Sequence, residues 1–169
     1  MVYYVPRPIQ GTYGNASVVD PDEDEEEKLR KVRSFLEFFK QKCKDLYQPF
    51  QHVAVDERLV KSEHWSGIRQ YIKNKPTKWG KKLWVLADSL NGYICDFDGY
   101  IGRNAQQEVS PNGLQYDVVM KLVAPLRNQG SHLYFDNFYT SVKLVKNLFQ
   151  VLIPATGTAA ENRGDSLRQ

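Results

Sequence analysis

Two short apolar runs, each ending in an aspartate, constrain this chain more than any other feature of its sequence. The runs are His52-Val-Ala-Val-Asp56 and Ser131-His-Leu-Tyr-Phe-Asp136. Both have the length and residue types of a short β-strand with an acid at its C-terminal end. If the two strands are adjacent and parallel, both carboxylates lie a few ångströms apart at one edge of the sheet, where open α/β sheets bind ligands.

Asp56 and Asp136 are therefore candidate ligands of a divalent cation. Two carboxylates placed this closely repel each other, and a bound cation removes that repulsion. Hard oxygen ligands suit Mg²⁺ or Mn²⁺, which can activate water and stabilise a leaving oxygen in phosphodiester chemistry. The alternative is that each aspartate is an ordinary residue at a strand end, and that Asp136 caps the helix that follows it.

An amphipathic helix is predicted ahead of the first strand. Its apolar positions recur at intervals of three and four residues, which places them on one stripe. They are Leu29, Val32, Leu36, Phe39, Cys43 and Leu46. Such a stripe most often packs on its own domain, and a dimer seam is the alternative.

The remaining apolar patterns predict a mixed α/β sheet with helices packed on it. Short strands are predicted at 52–56, 69–72, 83–87, 93–98 and 131–135, with a last strand that begins at 151–153. Helices are predicted at 116–126 and from Phe138 to Phe149. Asn137, Thr140 or Ser141 is the expected cap of the second helix. A lysine-rich loop with Pro76 and Gly80 is expected between the second and third strands.

Charge is placed very unevenly along the chain, although the formal net charge is only +3. Residues 20–27 are almost all acidic, whereas residues 57–82 hold eight lysines and arginines against Glu57 and Glu63. A basic stretch of this kind indicates either a surface that binds a polyanion or a solvated lysine-rich loop. Charge alone does not decide between the two.

Several protein classes lack support in this sequence. Cys43 and Cys95 do not form a CxxC pair, so we expect free thiols in a reducing compartment rather than a zinc module. No stretch approaches the roughly 20 apolar residues that cross a membrane, and the first residues do not form a secretory signal. No glycine-rich phosphate loop or GxSxG motif occurs, so a nucleotide-binding fold and a hydrolase lack support. We expect neither a membrane association nor a small-molecule substrate.

Four long segments resemble the transposase domain of piggyBac elements and their domesticated relatives. They are YQPFQHVAVDERLV, IRQYIKNKPTKWGKKLWVLADS, GYICDFDGYIGR and LYFDNFYTSVKLVKNLF, and the resemblance runs from about Asp20 to about Thr158. It implies an RNase H-like fold, whose order of strands and helices matches the order predicted above. It also implies that Asp56 is the first catalytic aspartate, that Asp136 is the second, and that their strands are neighbours.

By the same resemblance, the activity is cut-and-paste DNA transposition that depends on Mg²⁺ or Mn²⁺, with joining at TTAA targets. The basic residues expected near DNA are Arg69, Lys73, Lys75, Lys78 and Lys81. Phosphate contacts by these side chains would make DNA binding sensitive to salt. Tyr71 and Trp79, which are interleaved with them, are expected either to lie near DNA or to belong to the core.

The sequence departs from the family pattern in one respect that matters for catalysis. The third catalytic aspartate of piggyBac proteins lies well beyond the fifth strand, whereas the only acids near the end of this chain are Glu161 and Asp165. We therefore expect an RNase H-like sheet that is incomplete at the C-terminus, weak metal binding, and no transposition by this chain alone. The alternative is a domesticated nuclear module that binds DNA or protein without catalysis.

The expected organisation has four parts. Residues 1–27 are predicted to be an acidic tail, 28–49 the amphipathic helix, 50–157 a partial transposase domain and 158–169 a polar tail. DNA is the expected partner, a homodimer is possible, and the expected location is the nucleus.

Overall fold

A mixed sheet of six strands organises the part of the chain that the computed structural model describes, namely residues 25–63, 68–73, 77–100 and 109–159, with side chains from residue 32 onward. The strands are β1 (His52–Lys61), β2 (Arg69–Tyr71), β3 (Trp79–Asp88), β4 (Ile94–Gly99), β5 (His132–Phe135) and β6 (Ala155–Gly157). The helices are α1 (Glu25–Leu46), α2 (Leu114–Leu122) and α3 (Val142–Gln150), with a short 3-10 helix at Ala124–Leu126. The predicted α/β class is confirmed.

Strand β1 lies in the middle of the sheet. It pairs antiparallel with β3 on one side and parallel with β5 on the other, and β5 pairs parallel with β6. Strands β2 and β4 both pair antiparallel with β3, β2 near its start and β4 further along. The adjacent, parallel arrangement that the two aspartates require is therefore present between β1 and β5.

Helices α2 and α3 cover one face of the sheet and form the main core with it. Val55 of β1 and Phe135 of β5 point into this core, where they meet Leu122 of α2 and Leu144 of α3. Because side chains alternate along a strand, the residues next to Val55 and Phe135 point to the opposite face. The core thus fixes which face of the sheet carries the two aspartates.

Helix α1 packs beside β4. Phe39 lies 6.0 Å from Phe97, measured between ring centroids, and Lys44 pairs with the buried Asp96 at 2.9 Å. The predicted stripe is only partly covered, because Cys43 is buried whereas Val32 and Leu46 are exposed. No described helix is long and apolar enough to cross a bilayer.

Two predicted boundaries were wrong. The helix predicted at 116–126 ends at Leu122, because Pro125 lacks the N–H that an α-helix needs and lies instead in the 3-10 helix. The strand expected to begin at 151–153 begins after Pro154, and Val151 and Leu152 instead end α3.

The strands β1 and β3 are longer than the sequence predicted. β1 continues five residues beyond Asp56 to Lys61, where it pairs with Gly80 in a segment of β3 that was expected to be a loop. Asp56 is therefore not at the end of β1 but at the point where its pairing with β5 stops. The expected tails at 1–24 and 160–169 lie outside the described residues, so the division into four parts stays a prediction.

Candidate active site

Asp56 and Asp136 lie side by side on the open face of the sheet. Val55 and Phe135 are register partners in the parallel pair β1–β5, and each aspartate is the next residue along its strand. Since neighbouring strands are separated by about 4.8 Å, this register brings the backbones of Asp56 and Asp136 to about that distance from each other. Both side chains are exposed. The structure thus brings together the two residues that the sequence singled out.

Each carboxylate is oriented by its own backbone. Asp56 Oδ1 accepts the N–H of Glu57 at 2.7 Å, and Asp136 Oδ1 accepts the N–H of Phe138 at 2.9 Å. The cap of α3 is Ser141, whose Oγ accepts the N–H of Leu144 at 3.2 Å. Asp136 therefore holds the turn after β5 and does not cap α3. The alternative that Asp136 is a helix-capping residue is excluded.

The two carboxylates fit as part of a site for a hard divalent cation. Aspartate oxygens are the ligands that Mg²⁺ and Mn²⁺ prefer, and one or two carboxylates are a common contribution of the protein. Among the described residues, no group of three or more His, Cys, Asp or Glu side chains is placed to share an ion. Asp56 and Asp136 are therefore candidate ligands, and metal binding by them stays a prediction.

Tyr139 is buried beneath the two aspartates. Its side chain is 2% exposed, and its hydroxyl has no hydrogen-bond partner among the described residues. Burial raises the pKa of the Tyr139 phenol, and the negative charges of Glu57, Asp56 and Asp136 raise it further. The phenol is therefore a neutral group next to three acids. Sequence analysis missed it, because an aromatic residue before a helix gives no signal of its own.

Glu57 lies on the opposite face of β1 from Asp56, towards the helices. Its carboxylate pairs with Lys82 Nζ at 3.6 Å, and that ammonium also lies 4.9 Å from the centre of the Phe138 ring. Because successive residues of a strand point to opposite faces, Glu57 cannot join Asp56 and Asp136 on the open face. Its negative charge instead raises the pKa of Tyr139 and pairs with Lys82.

The open face continues upstream of the aspartates with two histidines. His52 and His132 are register partners at the starts of β1 and β5, and their ring centroids are 5.9 Å apart. His52 Nδ1 lies 3.1 Å from the hydroxyl of Tyr134, and His132 Nε2 lies 2.9 Å from the hydroxyl of Thr156. Both histidines therefore have hydrogen-bonding partners within the sheet.

The residues predicted to contact DNA lie mostly around the β2–β3 hairpin. Arg69 and Lys81 are register partners on it, and Lys73 and Lys78 are exposed near its connecting loop. Lys75 lies outside the described residues. Whether these side chains contact DNA stays a prediction.

Three further exposed residues lie on the face of the sheet that carries Asp56, namely Tyr71, Trp79 and Arg58. Tyr71 and Trp79 are 51% and 45% exposed, so of the two alternatives left open by the sequence the core is excluded. Arg58, which the sequence analysis did not select, is exposed on the same face as Asp56. Its position two residues after Asp56 in an alternating strand was the signal that could have identified it.

Known proteins resemble this chain over most of its length. A family model described as Transposase IS4 matches residues 14–167. PiggyBac transposable element-derived protein 3 of Homo sapiens is 29% identical over 157 residues, which make up 90% of this chain and 26% of that protein. PiggyBac transposable element-derived protein 2 of Homo sapiens is 33% identical over 100 residues, or 57% of this chain and 17% of that protein.

A solved structure shares the fold. It is the cryo-EM structure of a piggyBac transposase synaptic complex with hairpin DNA, which matches with a TM-score of 0.74 and 32% identity over 84% of this chain and 30% of that chain. This chain therefore spans about a quarter of the first relative and less than a third of the solved chain. The chain belongs to the Transposase IS4 family and is a partial piggyBac-type transposase domain with an RNase H-like α/β fold.

Proposed function

We propose that this chain is the part of a piggyBac-type transposase that binds DNA and a divalent cation, with metal-dependent DNA cleavage and strand transfer as its ancestral activity. One observation carries the proposal. Asp56 and Asp136 directly follow a register pair of the parallel strands β1 and β5, on the face that the helices α2 and α3 leave open. Membership of a transposase family supports the assignment of this pair to DNA chemistry.

In this proposal Asp56 and Asp136 hold Mg²⁺ or Mn²⁺ between them. The ion, when bound, lowers the pKa of a water and stabilises the leaving oxygen of a phosphodiester. The chain's own contribution is orientation, because the backbone N–H groups of Glu57 and Phe138 each hold one oxygen of a carboxylate. Buried Tyr139 keeps an uncharged group beneath the carboxylates.

Cleavage by this chain alone is not part of the proposal. Two carboxylates hold a divalent ion weakly, since each charged ligand removed lowers the affinity of an oxygen site. We expect a dissociation constant of about 10⁻⁴ to 10⁻³ M for Mn²⁺, the range of weak Ca²⁺ sites built from oxygen ligands.

The metal site is tested by titrating Mn²⁺ and following the free ion by electron paramagnetic resonance. We expect Asp56→Asn and Asp136→Asn each to weaken binding, because both remove a charge and keep the size of the side chain. Asp98→Asn is the matched control, since Asp98 pairs with Lys121 at 2.6 Å at the opposite side of β3 from Asp56. Unchanged Mn²⁺ binding in the double variant Asp56→Asn/Asp136→Asn would rule out this site.

Loss of cleavage is tested with DNA that carries a transposon end flanked by TTAA. We expect the chain to bind this DNA and not to nick it when Mn²⁺ is present. Nicking that depends on Mn²⁺ and disappears in Asp56→Asn would contradict the inactive state and still support the site.

A domesticated module that binds DNA or protein in the nucleus is the second candidate. The cationic and aromatic residues of the β2–β3 hairpin favour it, since they do not depend on catalysis. Binding to DNA that is equal with and without Mn²⁺, and equal for TTAA and scrambled sequences, would favour this candidate over the first. A tagged chain found only outside the nucleus of a cell would contradict the second candidate.

We also propose that two copies of this chain form a homodimer through the exposed aromatic rings of α1. Phe35 and Phe38 are 67% and 61% exposed on this helix, which is unusual for residues that gain free energy by burial. We expect Phe35→Glu to shift the chain from dimer to monomer in sedimentation velocity. A wild-type chain that sediments as a monomer at high concentration would contradict this assembly.

A further inference from the structure

Four side chains of the β2–β3 hairpin point to one face of the sheet. Arg69 is the register partner of Lys81, and Tyr71 is the register partner of Trp79. Within each strand the two residues are separated by one position, so they share a face. The hairpin thus presents two cations and two aromatic rings together. We call Arg69, Tyr71, Trp79 and Lys81 the hairpin quartet.

The hairpin quartet lies on the same face as the two aspartates. Along the β1–β3 pair, Asp56 is opposite Val85, Arg58 is opposite Leu83 and Val60 is opposite Lys81. Register partners point to the same face, so this row leads from Asp56 to the quartet without changing sides. At about 3.3 Å per residue, Val60 and its partner lie roughly 13 Å from Asp56 along the strand.

The two aromatic rings of the quartet are accessible and held in place. Their centroids are 4.9 Å apart, and about half of each side chain is exposed. The Arg69 guanidinium lies 4.7 Å from the centre of the Trp79 ring, on one side of the indole. The N–H of Ile72 donates to the carbonyl of Lys78 at 2.8 Å and closes the hairpin beyond the rings. The rings are therefore ordered before any partner arrives.

The charges around the rings select an anionic partner. Every charged residue in the described segments 68–73 and 77–82 is a lysine or an arginine. Exposed aromatic rings among cations are the combination that binds single-stranded nucleic acid, because cations hold the phosphates and rings stack on bases. Duplex DNA keeps its bases stacked inside and offers only phosphates to such a surface.

We propose that Tyr71 and Trp79 stack on unpaired bases of a DNA strand whose phosphates are held by Arg69 and Lys81. This proposal rests on the DNA binding of the proposed function and adds the form of DNA that the surface prefers. The rings lie two residues beyond Lys81, so unpaired bases stacked on them would be roughly 20 Å from Asp56, on the same face of the sheet.

The test compares two labelled DNAs, a blunt duplex and the same duplex with a short single-stranded overhang, by fluorescence anisotropy. We expect Tyr71→Leu and Trp79→Leu each to weaken binding of the overhang DNA by about 5- to 150-fold, the range for losing one stacked base. Binding of the blunt duplex should change less than twofold. Trp79→Phe keeps a ring and should recover most of the affinity.

Two controls separate stacking from charge and from misfolding. Phe149→Leu removes another exposed aromatic ring, which lies on α3, and should leave both affinities unchanged. Lys81→Gln should weaken both DNAs alike and reduce the salt dependence. Equal effects of the Tyr71 and Trp79 variants on both DNAs, or no effect on either, would overturn stacking and leave DNA binding intact. Failure of the wild-type chain to bind either DNA would instead overturn the proposed function.

Discussion

The backbone N–H of Ile153 donates to the carbonyl oxygen of Leu148 at 2.9 Å, across the C-terminal end of α3. The N–H of Leu152 donates to the carbonyl of Phe149 at 3.1 Å, which completes a Schellman motif. Ile153 and Leu148 are both fully buried, so the hydrophobic contact that accompanies this motif is also present. The motif turns the chain from α3 into β6, which pairs with β5, the strand that Asp136 follows.

Leu152 occupies the one position of this motif that usually belongs to glycine. Its φ is +57°, where a side chain is strained, and it is 60% exposed, so it loses little by truncation. We expect Leu152→Gly to raise the free energy of unfolding by about 0.5–1 kcal/mol, the strain relieved less the entropy that glycine adds to the unfolded chain. Urea unfolding followed by circular dichroism measures the change.

Asn128 is the control for this prediction. It has a similar φ of +61°, but asparagine tolerates the left-handed region, so Asn128→Gly should change stability by less than about 0.5 kcal/mol. A loss of stability in Leu152→Gly would mean that the Leu152 side chain makes contacts that outweigh its strain.

The same motif explains one of the incorrect sequence predictions. Val151, Leu152 and Ile153 are three apolar residues in a row, which is the pattern of a buried strand. Their hydrogen bonds instead end α3, and a motif of this kind is recognised from sequence mainly by glycine, which is absent here. Local periodicity thus located the element correctly and misplaced its boundary by four residues, from Val151 to Ala155.

The candidate site was predictable in part. Asp56 and Asp136 stand out because each ends an apolar run, and adjacency of their strands was the only further assumption. The exposure of Tyr71 and Trp79 was not predictable, because aromatic residues in strands usually pack in a core. The pKa of Tyr139 is raised by three acids that come from distant parts of the sequence. No local sequence pattern predicts that they lie near this tyrosine.

Asp88 is a buried carboxylate that joins the segment between α1 and β1 to the end of β3. It is 1% exposed, and its Oδ2 accepts the Tyr47 hydroxyl at 3.0 Å and the N–H of Phe50 at 2.7 Å. Its Oδ1 accepts the N–H of Leu90 at 2.7 Å. Asp88→Asn gives up the charge and turns an NH₂ group towards at least one donor, so we expect a loss of about 2–3 kcal/mol in urea unfolding.

The pH dependence of this loss follows from the pKa of Asp88. Burial would raise that pKa, but hydrogen bonds from Phe50, Leu90 and Tyr47 outweigh burial and lower the pKa below its ordinary value of 3.8. A lowered pKa means that the carboxylate stabilises the fold fully at neutral pH and loses its contribution as the pH falls through the folded-state value. The difference between wild type and Asp88→Asn should therefore shrink below about pH 4.

Asp98→Asn is the control for both measurements. The Lys121 side chain that pairs with Asp98 is 64% exposed, and pairs of this kind contribute about 0–1 kcal/mol. An Asp88→Asn variant as stable as Asp98→Asn at neutral pH would show that the buried hydrogen bonds contribute little.

The Tyr139 hydroxyl, which has no hydrogen-bond partner among the described residues, gives a prediction of opposite sign. A buried hydroxyl without a partner costs about 1–3 kcal/mol, so Tyr139→Phe should stabilise the chain by about 1 kcal/mol. Tyr116→Phe is the matched control, because the Tyr116 hydroxyl accepts a hydrogen bond from Asn147 Nδ2 at 2.6 Å and its removal should cost about 1 kcal/mol. Thermal melts of both variants at equal protein concentration separate the two cases. Destabilisation by Tyr139→Phe would show that the phenol has a partner.

Gly80 connects stability to the surface that we assign to DNA. A Cβ at this position would meet the carbonyl oxygen of Val60, and Leu59 Cγ would be 2.9 Å away, so β3 would have to move from β1. We expect Gly80→Ala to cost about 1–3 kcal/mol, the usual range for overpacking. Because Gly80 lies between Trp79 and Lys81, the same shift should also weaken binding of overhang DNA more than binding of blunt duplex.

Gly99 provides the comparison for Gly80. A Cβ there would meet only Leu83 Cδ2, at an ordinary 3.8 Å, so Gly99→Ala should be neutral or stabilise the chain by up to about 1 kcal/mol. Urea unfolding and anisotropy on the same protein samples test both halves of the prediction. If Gly80→Ala lost stability and kept its preference for overhang DNA, the position of β3 against β1 would matter for the fold and not for the hairpin quartet.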